Sequence, residues 1–386
     1  MKKYIILLLL PNLIFGQNKL SLMDAIKIGM WKNYDIQISA KNQNINRINN
    51  NWGNAGALPT INISANTEKA LSDQSNNPAS FIQEKLQSTS VNGSANISWT
   101  LFNGFAIRAN KEKLSNLEKI SNLNATLTIE NTIQGIILQY YNCILQKNRL
   151  ELLQKVVTLA KDRLKYEQTK YSIGVSSKID LLQMENSMLT DSANIILQEL
   201  NYLNAIKNLN LTLGENIETN WVLTDKIDTK IQLFNYEDLK ASTLANNTNI
   251  KNQYYNIQLS KQDIKLAMSP FYPIISVNSG AAYNESTYNI GDLANSIDNT
   301  GESLNYFANF SVNLRLFDGG KLYQNIRSLK IKKEIDELQL EKVKTDVLHQ
   351  LSLTNETYNS LSRTYMLNQK AFKIAEINYE LATNKK

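Results

Sequence analysis

The chain states one pattern twice. Asp24, Asn33, Ile36 and Pro59 return 214 positions later as Asp238, Asn247, Ile250 and Pro273, and Leu101, Phe102, Asn103 and Gly104 return 215 positions later as Leu316, Phe317, Asp318 and Gly319. A spacing kept over such a separation marks a duplicated architectural unit. Each copy has one order: a short helix, a strand opening at a proline, a polar loop, a second strand ending in Leu-Phe-(Asn/Asp)-Gly, and a very long helical run. Strand pairs set between long helices point to a pore rather than to an enzyme.

Residues 22–50 carry Leu22, Ala25, Ile26, Gly29, Ile36, Ile45 and Ile48 at roughly helical spacing, and 236–268 form the matching segment, which stops at Ser269-Pro270. A residue that precedes proline resists the α region, so the chain is expected to turn extended at Leu58-Pro59 and again at Tyr272-Pro273. The second strand of each copy then alternates. From Val91 to Leu101 the odd positions are Val, Gly, Ala, Ile, Trp and Leu, and the even ones are Asn92, Ser94, Asn96, Ser98 and Thr100. From Ala308 to Leu316 the apolar set is Ala308, Phe310, Val312, Leu314 and Leu316, against Asn309, Ser311, Asn313 and Arg315. The partner strands around Ile61-Ile63-Ala65 and Ile275-Val277-Ser279 alternate more weakly, and the polar stretches 72–90 and 284–305 read as the loops that join each pair.

Strands of about ten residues with one polar and one apolar face suit a transmembrane barrel, and a soluble sheet with one solvated face has the same period. The N-terminus separates the two. Lys2 and Lys3 precede an apolar stretch from Tyr4 to Leu13, about ten residues and too short to span a bilayer as a helix. Residues 1–16 therefore read as a cleaved secretory signal peptide. On the membrane reading Asn92, Ser94, Asn96, Ser98, Asn309, Ser311, Asn313 and Arg315 are the candidate lumen residues. Ile97, Trp99, Phe310, Val312 and Leu314 face lipid, with Trp99 placed as an interface anchor.

From Ala109 to Tyr171 the chain has no proline and one glycine, Gly135, and apolar residues recur at spacings of three and four. As one helix, roughly 63 residues at 1.5 Å each would reach about 95 Å, a length that needs partners along it. The first partner is a helix returning from Lys178 to about Leu213, with Gly174 suited to cap the outgoing helix and Ser177 to start the returning one.

Other chemistry finds little support. A single cysteine, Cys143, excludes an intrachain disulfide, and a single histidine, His349, excludes multi-histidine metal sites. Net charge is +6, dispersed among interleaved Lys and Glu, so the nucleic-acid footprint is weak and no nucleic-acid partner is expected. There is no phosphate-binding glycine loop, metal-ligand cluster or nucleophile elbow, so no enzyme activity and no cofactor are expected.

The ordered set of features, including Tyr171-Ser-Ile-Gly-Val-Ser-Ser-Lys-Ile-Asp180 at the helical turn, resembles the TolC family of outer-membrane efflux channels from Leu20 to about Asn384. The resemblance implies an α+β membrane protein. Long α-helical hairpins would form a coiled-coil periplasmic barrel, and four β-strands per protomer would join a trimeric transmembrane β-barrel of twelve strands. Closure by oligomerisation agrees with the cost of open strand edges in lipid. The implied partners are two further copies, a periplasmic adaptor with its inner-membrane pump, and outer-membrane lipid, in a tripartite efflux or type I secretion system. The implied adaptor-docking turn is Gly174, Val175, Ser177 and Asp180. The expected domains are a first repeat at 20–213, a linker at 214–233 and a second repeat at 234–386. The helix that should return at the end of the second repeat is expected to be missing, with the gating acids that follow its tip glycine, which leaves a fragment of a channel as one alternative. A periplasmic or surface helical-bundle protein is the other.

Overall fold

The computed structural model describes residues 18–227, 231–290 and 297–383; the expected signal peptide lies outside them. In chain order the elements are β1 (Asn18–Leu20), α1 (Leu22–Lys32), α2 (Tyr34–Asn49), β2 (Thr60–Asp73), β3 (Lys85–Asn103), α3 (Ala106–Ser172) and α4 (Lys178–Leu213). They continue with β4 (Trp221–Leu223), α5 (Tyr236–Asn246), α6 (Thr248–Met268), β5 (Ile274–Ile290), β6 (Ile297–Asn313) and α7 (Lys321–Thr383).

Each repeat opens with two helices where the spacing predicted one. The break falls at the repeated asparagine. Asn33 and Asn247 adopt nearly the same extended backbone, with φ −60° and ψ 127° against φ −58° and ψ 125°. The Asn33 side chain accepts a hydrogen bond from the Ile36 N–H at 3.1 Å, and the Asn247 side chain accepts from Asn249 and Ile250 at 3.0 and 3.2 Å. A carboxamide that satisfies the next helix's orphan donors starts a new helix at the residue that ends the old one. Ile36 and Ile250 are buried beside these caps, so the repeated Asn and Ile together make one corner.

The prolines act as predicted, since β2 and β5 each begin at the residue after Pro59 and Pro273. The expected loops do not. Much of 72–90 and 284–305 is strand, because β2 runs to Asp73, β3 starts at Lys85, β5 runs to Ile290 and β6 starts at Ile297. Polar composition is no bar to a strand whose backbone is paired, and side chains there bond across the ladder, as Thr287 does to Thr300 at 3.1 Å. The second strand of repeat two also ends early. Leu314, Arg315, Leu316 and Phe317 lie beyond it, because β5 begins at Ile274, which pairs with Asn313, and supplies no partner further on. Arg315 is therefore not a strand residue.

Two compact units each draw on both repeats, and α2, α3, α5 and α7 contribute residues to both. The first holds β1, which pairs in parallel with β4, a two-stranded ribbon that the periodicity did not reveal. Its core is Leu20, Ala25, Ile136, Tyr140, Cys143, Ile144, Ala205, Ile206, Leu209, Leu213 and Leu223. Each large apolar side chain buried there contributes about 1.5–3 kcal/mol. Tyr140 is wholly buried, and its hydroxyl donates to the Leu20 carbonyl at 2.9 Å beside the Asp225 carboxylate, which accepts from the Leu22 N–H at 2.6 Å. Burial pushes the Tyr140 hydroxyl up to about 12, so it stays a donor at neutral pH.

The second unit holds the four-stranded sheet, in the order β2-β3-β5-β6 and antiparallel throughout, with α6 beside the start of α3. Ion pairs fix those helices, Lys113 with Asp263 at 2.6 Å and Lys265 with Glu112 at 3.0 Å.

Candidate functional site

Paired residues of an antiparallel ladder project from the same face. The register therefore settles which predicted side chains share a surface. Asn92, Ser94, Asn96 and Ser98 stand opposite Asn66, Ser64, Asn62 and Thr60 of β2, and opposite Asn284, Ala282, Gly280 and Asn278 of β5. Asn278 pairs with Asn309, Ser276 with Ser311, and Ile274 with Asn313. Seven of the eight predicted lumen residues thus lie on one face, Arg315 excepted. Ser64 and Ser94 bond across it at 2.8 Å, and Ser276 and Ser311 at 2.7 Å. Phe307, in register with Asn96 and Gly280, is an aromatic on this polar face that the alternation from Ala308 onward did not include. It lies over Gly280, where an added Cβ would sit 3.0 Å from its ring and 2.4 Å from the Ala95 carbonyl.

The opposite face is apolar. Its rows run from Phe102, Ile275 and Val312, through Trp99, Val277 and Phe310, to Gly93, Tyr283 and Leu304. Ile97, Trp99, Phe310 and Val312 are at least two-fifths exposed there, while Leu314 lies past the strand end. Beyond Tyr283 the face turns acidic at Glu285, which pairs with Glu302. About eight residues at 3.4 Å, tilted near 40°, give a band of roughly 21 Å, close to the ~25 Å apolar belt of membrane barrels. No described helix is long and apolar enough to cross a membrane.

The repeated exit motif performs the same local work in both copies. Asn103 accepts from the Ile107 N–H at 3.0 Å and Asp318 from the Leu322 N–H at 2.9 Å, so each caps the long helix that follows. Gly104 and Gly319 both have positive φ, 64° and 75°. The next position is left-handed as well, with Gly320 at φ 81° and Phe105 at φ 67°. Phe105 is the one described non-glycine residue in that region, which costs about 1–2 kcal/mol. Edge-on ring contacts hold it, to Phe102 at 5.2 Å and to Tyr272 at 5.5 Å. Leu101 carries a β-bulge, two residues of β3 standing against one of β5, so Leu101 and Phe102 both serve the apolar face and Asn103 returns to the polar one.

At the tip turn Gly174 has φ 80°, and the Val175 N–H bonds the Lys170 carbonyl at 2.9 Å, closing the end of α3. Ser177 and Asp180 form a capping box at the start of α4, with bonds of 3.1 and 3.2 Å. The Asp180 carboxylate accepts from the Ser177 hydroxyl at 2.6 Å and from the Ser177 N–H, and these bonds hold it below the usual carboxylate range. Ile173, Val175 and Ile179 are each about 70% exposed around the turn. Cys143 is buried, which pushes its thiol up to about 12, and no described group of three or more His, Cys, Asp or Glu is placed to hold a metal ion.

Solved channels share this architecture. The outer membrane channel CmeC of Campylobacter jejuni matches with a TM-score of 0.67 at 16% identity, over 93% of this chain and 76% of its own. The outer membrane protein VceC of Vibrio cholerae matches with a TM-score of 0.67 at 12% identity, over 94% of this chain and 85% of its own. The open state of the Neisseria gonorrhoeae outer membrane channel MtrE gives 0.61 at 15% identity, over 93% and 79%. No curated protein sequence matches the chain. The family model for outer membrane efflux proteins covers residues 32–215 and 239–385, most of the length. By that match the chain belongs to the outer membrane efflux protein family, with a fold shared by solved outer membrane proteins.

Proposed function

We propose that the chain is the outer-membrane duct of a tripartite efflux or type I secretion assembly, acting as a homotrimer that carries its cargo without chemistry of its own. The observation that carries this reading is the four-stranded sheet, polar on one face, apolar on the other, with the outer edges of β2 and β6 unpaired among the described residues. Unpaired backbone in lipid costs several kcal/mol per group, so the sheet needs neighbours on both edges, and copies of itself supply them. Three copies close a twelve-stranded barrel with the Asn and Ser rows toward water.

The tip turn is the adaptor's docking site. Gly174 and the Ser177–Asp180 box set a rigid turn, and exposed Val175, Ile173 and Ile179 offer it an apolar surface. The long helices α3 and α7 stand in the periplasm, where an adaptor meets them before the pump.

The test is to express the chain with its N-terminal segment, fractionate the envelope, and run the outer-membrane fraction on a gel with and without boiling. A detergent-extracted trimer that dissociates on heating is the expected result. A soluble periplasmic monomer would overturn the membrane reading and favour a helical bundle.

A further inference from the structure

The sheet register isolates one charge. Among the described strand residues, Glu68 is the only charged side chain on the face that carries Asn92, Ser94, Asn96 and Ser98; its row mates are Ser90, Ser286 and Gly301. The other strand carboxylates and lysines of the described rows alternate to the opposite face, including Lys69 next to it and the Glu285 and Glu302 pair one row away. Glu68 itself is exposed.

We propose that Glu68 is the residue that sets the ionic preference of the barrel segment, as a ring of three carboxylates on a strand face otherwise neutral among the described residues. The inference rests on the trimeric channel reading above. Strands about 4.8 Å apart and tilted near 40° put a twelve-stranded wall roughly 12 Å from the axis, and side chains narrow the water-filled part further. The Debye length is about 10 Å at 0.1 M salt, so carboxylates on the wall reach the whole cross-section and favour cations. At 1 M it falls to about 3 Å, and the preference should fade. The uncharged rows on either side, Asn66, Asn92, Asn284 and Ser303 and then Ala70, Ser88, Tyr288 and Asn299, neither oppose the ring nor add to it, so the charge at this one position decides the sign within the strand face. Cationic cargo would be drawn through this stretch and anionic cargo slowed.

Purified wild type, Glu68→Gln, Glu68→Lys, Glu285→Gln and Glu302→Gln would be placed in planar lipid bilayers, and reversal potentials read across a KCl gradient near 0.1 M and near 1 M. Glu68→Gln, which keeps size and shape, should lower the potassium-to-chloride permeability ratio by about twofold or more at low salt, and Glu68→Lys should turn it toward chloride. The opposite-face variants should match wild type. Open channels whose ratio is the same in Glu68→Gln as in wild type, or shifted equally by Glu285→Gln, would overturn the role of Glu68 alone. A heat-dissociable trimer that conducts no ions would overturn the channel reading and this inference together.

Discussion

The two strand-to-helix exits share a sequence signal and a local geometry, and they differ in what stands around them. In the first repeat the motif ends β3, which is flanked by β2 and β5, and the strand continues through the Leu101 bulge to Asn103. In the second it follows β6, which pairs with β5 alone among the described residues, and the strand stops at Asn313, before Leu316, Phe317, Asp318 and Gly319. An added Cβ at Gly104 would sit 2.1 Å from the Ser269 carbonyl oxygen, whereas at Gly319 it would meet nothing within 4 Å. The left-handed turn and the cap belong to the four residues themselves. How far the strand runs, and how tightly the glycine is enclosed, belong to the neighbours.

The largest effect expected from this contrast is at the two glycines. Gly104→Ala combines a left-handed penalty of about 1–2 kcal/mol with a backbone collision, and should destabilise by roughly 3 kcal/mol or more. Gly319→Ala should lose only the first part, about 1–2 kcal/mol. Denaturant titrations of the detergent-solubilised protein followed by circular dichroism compare them, and equal losses would break the contrast. Next come the following positions. Phe105→Ala keeps the strained backbone and gives up two ring contacts, each worth about 0.5–1.5 kcal/mol, while Phe105→Gly relieves the strain and should be the milder of the two in the same titration.

Smaller and equal effects are expected at the caps. Asn103→Ala and Asp318→Ala should each cost about 1 kcal/mol, because both accept from the N–H four residues on. A cost at only one would mean that the exits are not equivalent even locally. The smallest effect is at the tip. The folded carboxyl of Asp180 titrates below its ordinary value, so its capping bonds stabilise above that value and are lost as pH falls through the lowered one. Amide exchange at the start of α4 should therefore quicken in acid, and Asp180→Asn should remove most of that acid dependence.

The long helices, the strand starts and the tip were legible because each has a local cause. A proline stops a helix and opens a strand, a run without proline or β-breaking turns continues one, and Gly174 with Ser177 ends one helix and starts the next. The helix break at Asn33 was signalled by its repetition at Asn247 but hidden by apolar spacing that continues on both sides. Strand lengths were misread from polarity, since Asn, Ser and Thr rows mark loops in isolation and a wetted face in a paired sheet. The β1–β4 ribbon could not be seen, because three residues at Asn18–Leu20 find partners some 200 positions away at Trp221–Leu223.

Sequence alone determined the duplication, the order of strand pairs and long helices, and the alternation that separates polar Asn92, Ser94, Asn96 and Ser98 from Ile97 and Trp99. These follow from backbone preference and a period of two, which act over a few residues. Only the tertiary structure decided which rows meet across β2-β3-β5-β6, that Leu101 is bulged, that Arg315 lies outside the strand, and that Glu68 stands as the one described strand charge on its face. Register is a relation between segments far apart in the chain, and a shift of one residue would exchange the two faces.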